Sequence, residues 1–347
     1  MVKRITAIFI IIILSFNLSA CSKNEKSRYE AEFLRLFDTV TQIVGYSDSK
    51  EEFSNQVQMI YDNLKEYHQL YDIYNDYDGI NNIKTINDNA GIAPVKVDSR
   101  IIDMLLFSKE IYELTDGKIN IAFGAVLKIW HDYRNEGIEN PEKAELPPID
   151  MLMEAAKHTD INKVIIDKEN STVFLSDPEM SLDVGAIAKG YAVEEISKIA
   201  LESGLNSALI SVGGNVRSIG VKADSGSRWT VGIKNPLDKD GKSISRVQLE
   251  DASLVTSGIY ERYYTVDGKR YHHIIDPDTL FPAEYYASIS ILCPDSGMAD
   301  ALSTSVFTMP FEQGFELIES LPDVEAVWVF HDGEIKYSSN YEKYSAD

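Results

Sequence analysis

The stretch KVIIDKENSTVFLS, residues 163–176, carries the clearest signal of fold class in this chain of 347 residues. Two short apolar runs flank the polar tetrapeptide KENS, and that pattern predicts a β-hairpin. The strands of a hairpin run antiparallel. The stretch therefore favours an antiparallel sheet over the parallel sheet of a doubly wound α/β protein.

Strand and helix signals alternate on both sides of this hairpin. Residues 33–46 predict a strand or hairpin, and short apolar runs predict strands at 208–212, 229–233, 252–257, 287–292 and 326–330. Apolar residues at helical spacing predict helices over 51–70, 99–114, 188–204, 298–308 and 311–320. We therefore expect an α+β fold in which helices pack on largely antiparallel sheets.

Two polar segments separate these elements. Residues 74–91 are rich in Asn, Asp and Gly and predict a loop, and residues 136–149 predict a surface insertion. No internal repeat, low-complexity block or interdomain linker is visible in the sequence. We therefore expect one compact domain over residues 31–347.

The N-terminus resembles a bacterial export signal. Lys3 and Arg4 precede an apolar run that is too short for a comfortable membrane span, and LSAC follows at residues 18–21. Small residues before a cysteine match a lipobox, in which Cys21 carries the lipid; the alternative is an ordinary signal peptide with an incidental cysteine. We expect a lipoprotein signal peptide at 1–20, a polar tether at 21–30, and an extracytoplasmic protein anchored to the bacterial cell membrane by lipid, palmitate included.

Composition excludes some classes of partner and site. The formal net charge of −22 repels phosphate backbones, so nucleic acid is excluded as a partner. The hydrophobic content of 44% supports a folded core. Cys293 is the one cysteine after Cys21, so an internal disulfide is excluded, and it is expected in a buried strand.

The segment MADALSTSVF, residues 298–307, combines one acid and two hydroxyls with an apolar face. Asp300, Ser303 and Thr304 share one side of the predicted helix because they are spaced i, i+3, i+4. A hard cation such as Mg²⁺ prefers such oxygen ligands. The alternative is a helix start, with Asp300 near the N-terminus and the hydroxyls bonded to the helix backbone.

Two further segments place glycines next to possible ligand contacts. In SLDVGAIAKGYAVEE, residues 181–195, Asp183 precedes Lys189 at a helix start, which is either a phosphate site or a tight strand-to-helix turn. Gly213 and Gly214 in SVGGN serve either a ligand or a turn. The sequence of neither segment distinguishes between these alternatives.

A nucleophilic triad has little support in the sequence. A Ser-His-Asp triad could be assigned to Ser257, His273 and one of many aspartates. No nucleophile-elbow motif in the sequence supports that assignment. Adjacent His272 and His273 point to opposite faces if they lie on a strand, so at most one of them faces a given site.

The order of the motifs resembles a known family. The chain contains FDT (37–39), TDGKIN (115–120), LDVGAIAKGYAVE (182–194), SVGGN (211–215), VTSG (255–258), HHIIDP (272–277) and ADALST (299–304). In this order they resemble the ApbE-type FAD:protein FMN transferases, which are flavin-trafficking enzymes and often lipoproteins. The resemblance runs from about residue 35 to residue 335.

The resemblance implies a reaction. Such enzymes bind FAD and Mg²⁺, cleave the pyrophosphate of FAD and move FMN onto a Thr or Ser hydroxyl of an acceptor protein, while AMP leaves. The acceptor implied is a flavinylated membrane redox subunit. The alternatives are a pyrophosphatase that splits FAD into FMN and AMP, and a flavin-binding lipoprotein without activity.

The resemblance also implies site residues. The Mg²⁺ ligands are Asp300, Ser303, Thr304 and the backbone carbonyl of Ala186. The FAD contacts are Phe37, Tyr74, Lys118, Ile119, Asn120, Asp183, Lys189 and Ile274. His273 is the candidate general base or phosphate contact.

This chain departs from the family pattern at two positions. Asn120 stands where the family usually has aspartate, and Leu280 stands where it usually has a glycine after Thr279. Loss of that glycine removes a residue that adopts positive φ without strain. Both departures concern flavin contact rather than the metal-binding helix.

Overall fold

A computed structural model of the protein describes residues 26–238 and 242–346. The predicted signal peptide, the predicted lipid attachment at Cys21 and the first residues of the predicted tether lie outside the described residues. In the described ranges, none of the helices is both long enough and apolar enough to span a bilayer.

Antiparallel pairing dominates the architecture, as the sequence predicts. The described strands are β1 (Ser27–Leu36), β2 (Thr39–Ser47), β3 (Val95–Lys96), β4 (Val164–Asp167), β5 (Thr172–Leu175), β6 (Ala208–Val212), β7 (Asn215–Ile219), β8 (Trp229–Lys234), β9 (Ser243–Leu249), β10 (Ser253–Gly258), β11 (Tyr263–Val266), β12 (Lys269–His272), β13 (Ser288–Cys293), β14 (Glu325–Val329) and β15 (Ile335–Tyr337). The main sheet has the order β1-β2-β6-β7-β10-β13-β14-β15. Its neighbouring strands are antiparallel, which confirms the α+β fold.

Some of the helices cover one face of this sheet. The described helices are α1 (Lys50–Tyr71), α2 (Ile83–Asp88), α3 (Ser99–Leu114), α4 (Gly124–Glu139), α5 (Ile149–Ala155), α6 (Ala188–Glu202), α7 (Ser296–Phe307) and α8 (Phe311–Ser320). Ile43 and Ile210 point into the core that contains α1 and α6, while their neighbours Val44 and Leu209 point to the opposite face, toward Trp229 of β8. Both faces of the sheet are therefore buried, which explains why β13 and β14 are buried along their whole length.

The predicted elements are present with small shifts, including the hairpin β4–β5 that pairs Asp167 with Thr172. Cys293 is a buried thiol at the end of β13, as predicted. Burial raises the pKa of that thiol to about 12.

Three boundaries predicted from the sequence are wrong. Residues 74–91 are not all loop, because Asn82 and Thr85 form a capping box that starts α2. Residues 136–139 belong to α4, which the sequence did not predict. β1 begins at Ser27, inside the predicted tether, because Ser27 pairs with Ser47 of β2.

Leu280 adopts the backbone conformation that the missing glycine would have adopted. Its φ is 62°, in the left-handed region. A non-glycine residue there costs on the order of 1 kcal/mol. The side chain is buried and the carbonyl accepts a hydrogen bond from Trp130 Nε1 at 2.9 Å. These interactions offset the strain, so the turn persists without glycine.

Candidate active site

The sequence motifs converge through direct contacts, although they are far apart in the chain. Gly213 N–H donates to the carbonyl of Val40 at 3.0 Å, which sets the FDT turn beside the double-glycine turn. A Cβ on Gly213 would lie 2.6 Å from Thr39 Oγ1, so the two turns require a glycine there. Gly213 and Gly214 form the two-residue turn between β6 and β7, with φ of 56° and 90°. The turn interpretation of SVGGN is therefore confirmed.

The start of α6 packs directly on α7 at Asp300. Gly190 N–H donates to Asp300 Oδ2 at 2.7 Å. A Cβ on Gly190 would lie 2.4 Å from both Asp300 Cβ and the carbonyl oxygen of Ser296. Only glycine permits this approach. The close contact places a buried carboxylate beside the first turn of α6.

Asp300 is inside α7 rather than at its start. The N-cap of α7 is Asp295, whose side chain accepts from Met298 N–H. The helix-start alternative for Asp300 is therefore wrong. The hydroxyl of Ser303 does bond back to the helix, donating to the carbonyl of Asp300 at 2.9 Å.

A hydroxyl cluster lies one turn beyond Asp300. Ser257 Oγ on β10 lies 2.8 Å from Ser303 Oγ and 3.4 Å from Thr304 Oγ1. This contact joins the VTSG strand to the ADALST helix. Ser257 thus bonds to hydroxyls of α7 and not to His273. The described hydrogen bonds of His273 are to Arg262. These contacts give no support to a Ser-His-Asp triad.

The donor chemistry of this cluster fits a hard cation. Asp300 supplies a carboxylate that is 5% exposed, and Ser303 and Thr304 supply hydroxyls. Gly190 N–H donates to Asp300 and not to the carbonyl of Ala186 four residues earlier, so Ala186 is relieved of its usual helical donor. Three kinds of hard oxygen ligand thus surround the α6–α7 contact, as Mg²⁺ prefers. The cluster contains one acid, and nowhere in the described residues do three or more His, Cys, Asp or Glu side chains form a group that could hold a metal ion.

Lys189 reaches into the same cluster. Its ammonium lies 2.6 Å from Asn215 Oδ1 and 3.5 Å from Asp300 Oδ1. Asn215 is 1% exposed and belongs to the SVGGN motif. The lysine is thus a half-buried cation held between two motifs, and not a solvated surface residue.

Asp183 connects the TDGKIN segment to the same region. Its N–H donates to the carbonyl of Ile121 at 2.9 Å, and its Oδ1 accepts from Gly185 N–H at 2.9 Å. Its Oδ2 lies 3.9 Å from His131 Nε2 on α4, and His131 Nδ1 lies 3.0 Å from the Tyr74 hydroxyl. The predicted contacts Tyr74 and Asp183 are therefore linked by a histidine that the sequence did not identify. Burial lowers the pKa of His131 below its ordinary value.

His273 is held as a neutral imidazole. Its Nδ1 lies 3.2 Å from the carbonyl oxygen of Arg262, which also accepts from its backbone N–H at 3.1 Å. Burial, assisted by the positive charge of Arg262, lowers the pKa of His273 to about 3. A neutral imidazole with its Nδ1 directed to a carbonyl has Nε2 available as a proton acceptor.

His272 faces the other way, as expected for adjacent residues on a strand. Its Nε2 donates to the carbonyl of Ala283 at 2.8 Å, and its Nδ1 accepts from Ile274 N–H at 3.3 Å. Burial lowers its pKa to about 4. Both ring nitrogens are engaged inside the protein, so His272 has a structural role.

The side chains at 118–120 are engaged in the fold. Lys118 forms a buried ion pair with Asp276 at 2.9 Å and a second with Asp278 at 2.7 Å. Ile119 is in the core. Asn120 Nδ2 donates to the carbonyl of Thr159, and its Oδ1 accepts from Ala122 N–H. The run ties TDGKIN to HHIIDP, and its contact with FAD stays a prediction.

Phe37 and Ile274 lie at the periphery of these contacts. Phe37 is in the β1–β2 turn with φ of 51°, and its ring meets His68 at a centroid distance of 5.5 Å. Ile274 is buried in the core beside α7. Their predicted contacts with FAD are not tested by the geometry.

Sequence reasoning missed several polar residues of this region. His131 and Arg134 lie one turn apart on α4, and Arg262 follows β10. In the described contacts neither Arg134 nor Arg262 has a carboxylate within ion-pair distance. The sequence analysis did not predict α4, and the proximity of His131 and Arg134 to Tyr74 and Asp183 depends on tertiary packing.

Comparison with known proteins identifies the family. A family model described as the ApbE family matches residues 37–328, which is most of the chain. The chain belongs to the ApbE family. A relative from Treponema pallidum (strain Nichols), named FAD:protein FMN transferase, is 37% identical over 270 residues, covering 74% of this chain and 73% of the relative. A relative of the same name from Klebsiella pneumoniae (strain 342) is 32% identical over 258 residues, covering 74% of this chain and 77% of the relative.

Solved structures of the ApbE family share the fold. The ApbE protein from Thermotoga maritima superposes with a TM-score of 0.81 at 30% identity, covering 92% of this chain and 100% of that protein. The flavin transferase ApbE from Vibrio cholerae superposes with a TM-score of 0.74 at 22% identity, covering 91% and 99%. The second likeness supports the fold alone.

Proposed function

We propose that this chain transfers FMN from FAD to a Thr or Ser hydroxyl of an acceptor protein and releases AMP. The observation that carries the proposal is the contact of the α6 start with buried Asp300, which gathers one carboxylate, two hydroxyls and one ammonium at one place. Phosphoryl transfer depends mainly on positioning and charge stabilisation, and such a cluster supplies both. Relatives with that function in their names support the same reaction.

The step balances as a substitution at phosphorus, in which a phosphoanhydride bond is exchanged for a phosphoester bond. The acceptor oxygen forms a bond to the FMN phosphorus, and the bond from that phosphorus to the bridging oxygen of the pyrophosphate breaks. AMP leaves with the bridging oxygen and its electron pair. The hydroxyl proton passes to a base, and the products are an FMN phosphoester and AMP.

We assign Mg²⁺ to Asp300, Ser303, Thr304 and the carbonyl of Ala186. When bound, the cation supplies charge neutralisation at the phosphate oxygens. Lys189 supplies a second positive charge at the start of α6, where an anion is favoured. His273 accepts the hydroxyl proton at Nε2, because its imidazole is neutral in the free protein.

The two alternative functions differ in what they do with FAD. A pyrophosphatase uses water in place of the acceptor hydroxyl, and a flavin-binding lipoprotein leaves FAD intact. Release of AMP from FAD in a single turnover, with and without a flavin-free acceptor domain of a membrane redox subunit, separates the three. We expect fast AMP release only with the acceptor. Equal release without it would identify a hydrolase, and no release would identify a binding protein.

We further propose that the protein acts outside the cytoplasm, anchored by palmitate and a second lipid on Cys21, beside a membrane redox subunit that accepts FMN. The support is the LSAC motif after the apolar run and the absence of another cysteine before β13. Cys21→Ala should yield soluble or unprocessed protein, because the lipid is attached to that thiol. Fractionation of cells, with Cys293→Ala as the matched control, checks this. A Cys21→Ala protein that is processed and membrane-held like the parent would disprove the lipobox.

A further inference from the structure

Asn215 holds the ammonium of Lys189 in a position that the sequence does not reveal. Asn215 is the first residue of β7, directly after the double-glycine turn, and its side chain is buried. Its Oδ1 lies 2.6 Å from Lys189 Nζ. Because an ammonium only donates hydrogen bonds, the carboxamide oxygen must face it, and the amide orientation is fixed.

The other end of the carboxamide is not held by the protein. Asn215 Nδ2 is buried and has no hydrogen-bond acceptor among the described residues. The bond to Lys189 is therefore the only described side-chain hydrogen bond of Asn215. Most buried polar side-chain atoms have a hydrogen-bond partner, so a buried carboxamide that the protein holds only at its oxygen indicates a role for the bond to Lys189.

The two carboxylate oxygens of Asp300 differ in their hydrogen bonds. Oδ2 accepts from Gly190 N–H at 2.7 Å, whereas Oδ1 has only the Lys189 ammonium at 3.5 Å. A charge-assisted contact normally closes to about 2.7–2.9 Å. Lys189 therefore stops short of a full ion pair with Asp300, and the shorter contact to Asn215 is the visible reason.

We propose that Asn215 is a positioning residue that holds Lys189 away from Asp300 and so leaves Asp300 Oδ1 free to bind a divalent cation. The inference rests on the metal assignment in the proposed function. Without the Asn215 oxygen, the ammonium closes on the carboxylate and competes with the cation for the same oxygen. With the Asn215 oxygen in place, the Asp300 carboxylate binds the cation while the Lys189 ammonium remains available to the phosphate.

The test is a double-mutant cycle of Asn215→Ala and Lys189→Met. The affinity of each protein for Mn²⁺ is measured by electron paramagnetic resonance in the absence of FAD. Asn215→Ala should weaken Mn²⁺ binding by roughly tenfold or more, the scale of one charge-assisted contact. Lys189→Met should bind Mn²⁺ at least as tightly as the parent. Adding Asn215→Ala to Lys189→Met should then change nothing. Equal weakening in both backgrounds would show a merely structural role and overturn the proposal.

Two further variants control for folding and chemistry. Asn215→Asp keeps an acceptor oxygen for Lys189 and should retain Mn²⁺ affinity, so weakening as large as that of the alanine variant would contradict the proposal. Asn206→Ala removes an exposed asparagine–lysine bond, Asn206 Oδ1 to Lys26 Nζ at 3.0 Å, and should leave Mn²⁺ affinity unchanged. Thermal unfolding of each variant verifies the fold.

The outcome is separable from that of the proposed function. Mn²⁺ binding is measured without FAD or acceptor. If the four proteins of the cycle bind Mn²⁺ as expected but the parent does not transfer FMN, the proposed transfer is contradicted and the role of Asn215 is supported. A parent protein that does not bind Mn²⁺ would overturn the role of Asn215 and the metal assignment together.

Discussion

Asp300→Ala is expected to lower the rate of FMN transfer by about a hundredfold or more. The carboxylate is the only charged ligand in the proposed cation site, and a bound cation contributes several kcal/mol to stabilising charge on the phosphate oxygens. At about 1.36 kcal/mol per decade of rate, losing that contribution gives this scale. Single-turnover AMP release measures the effect, and removal of divalent cations with EDTA should reproduce it in the parent protein.

The matched control for this prediction is Asp300→Asn. Asparagine keeps an oxygen to accept the Gly190 N–H, which alanine leaves unpaired in a buried contact at a cost of about 1–3 kcal/mol. Asp300→Asn should therefore keep most of the thermal stability and still lose activity, because the charge is gone. Full activity of Asp300→Asn, or of the parent in EDTA, would contradict the metal assignment.

His273→Gln is expected to slow transfer by roughly 10²–10⁴-fold, the usual contribution of a general base. Glutamine keeps polarity and approximate size but accepts a proton poorly. Because the pKa of His273 is about 3, protonation of this residue should cause no loss of kcat/KM between pH 8 and pH 5. An acid limb near pH 6.5 that disappears in His273→Gln would contradict the neutral state.

The adjacent histidine provides the control. His272→Gln removes a buried hydrogen bond to Ala283 and should lower stability, while the folded fraction keeps its activity. Both histidines have pKa values below the ordinary 6.5, so the unfolded chain binds more protons than the folded one as the pH falls. The stability they contribute is complete above about pH 6.5 and is lost progressively below it. An activity loss in His272→Gln as large as in His273→Gln would remove the distinction between the two.

Local patterns in the sequence predicted the elements whose signal is local. The hairpin β4–β5, the amphipathic helix α3 and the run that forms α7 each contain their own evidence, because turn residues and apolar spacing act within a few positions. α4 was missed. Its first residue is Gly124, and no side chain caps it, so the usual start signals are absent.

The sequence predicted part of the candidate site. It did not predict the contacts between residues that are far apart in the chain. Asp300, Ser303 and Thr304 share a helix face by spacing alone. The contact of Gly190 with Asp300 and the bond of Lys189 to Asn215 join residues 110 and 26 positions apart, and no local pattern encodes them. The contact of Lys118 with FAD stays a prediction. The sequence did not predict that its ammonium pairs with two carboxylates from a segment more than 150 residues away.

The most direct test of FMN transfer is the intact mass of the acceptor domain after incubation with this protein, FAD and Mg²⁺. We predict that the acceptor gains the mass of one FMN less one water, that fragmentation places it on a Thr or Ser, and that one AMP appears for each modified chain. An unmodified acceptor in a mixture where FAD has been converted to FMN and AMP, or in which FAD remains intact, would contradict the account.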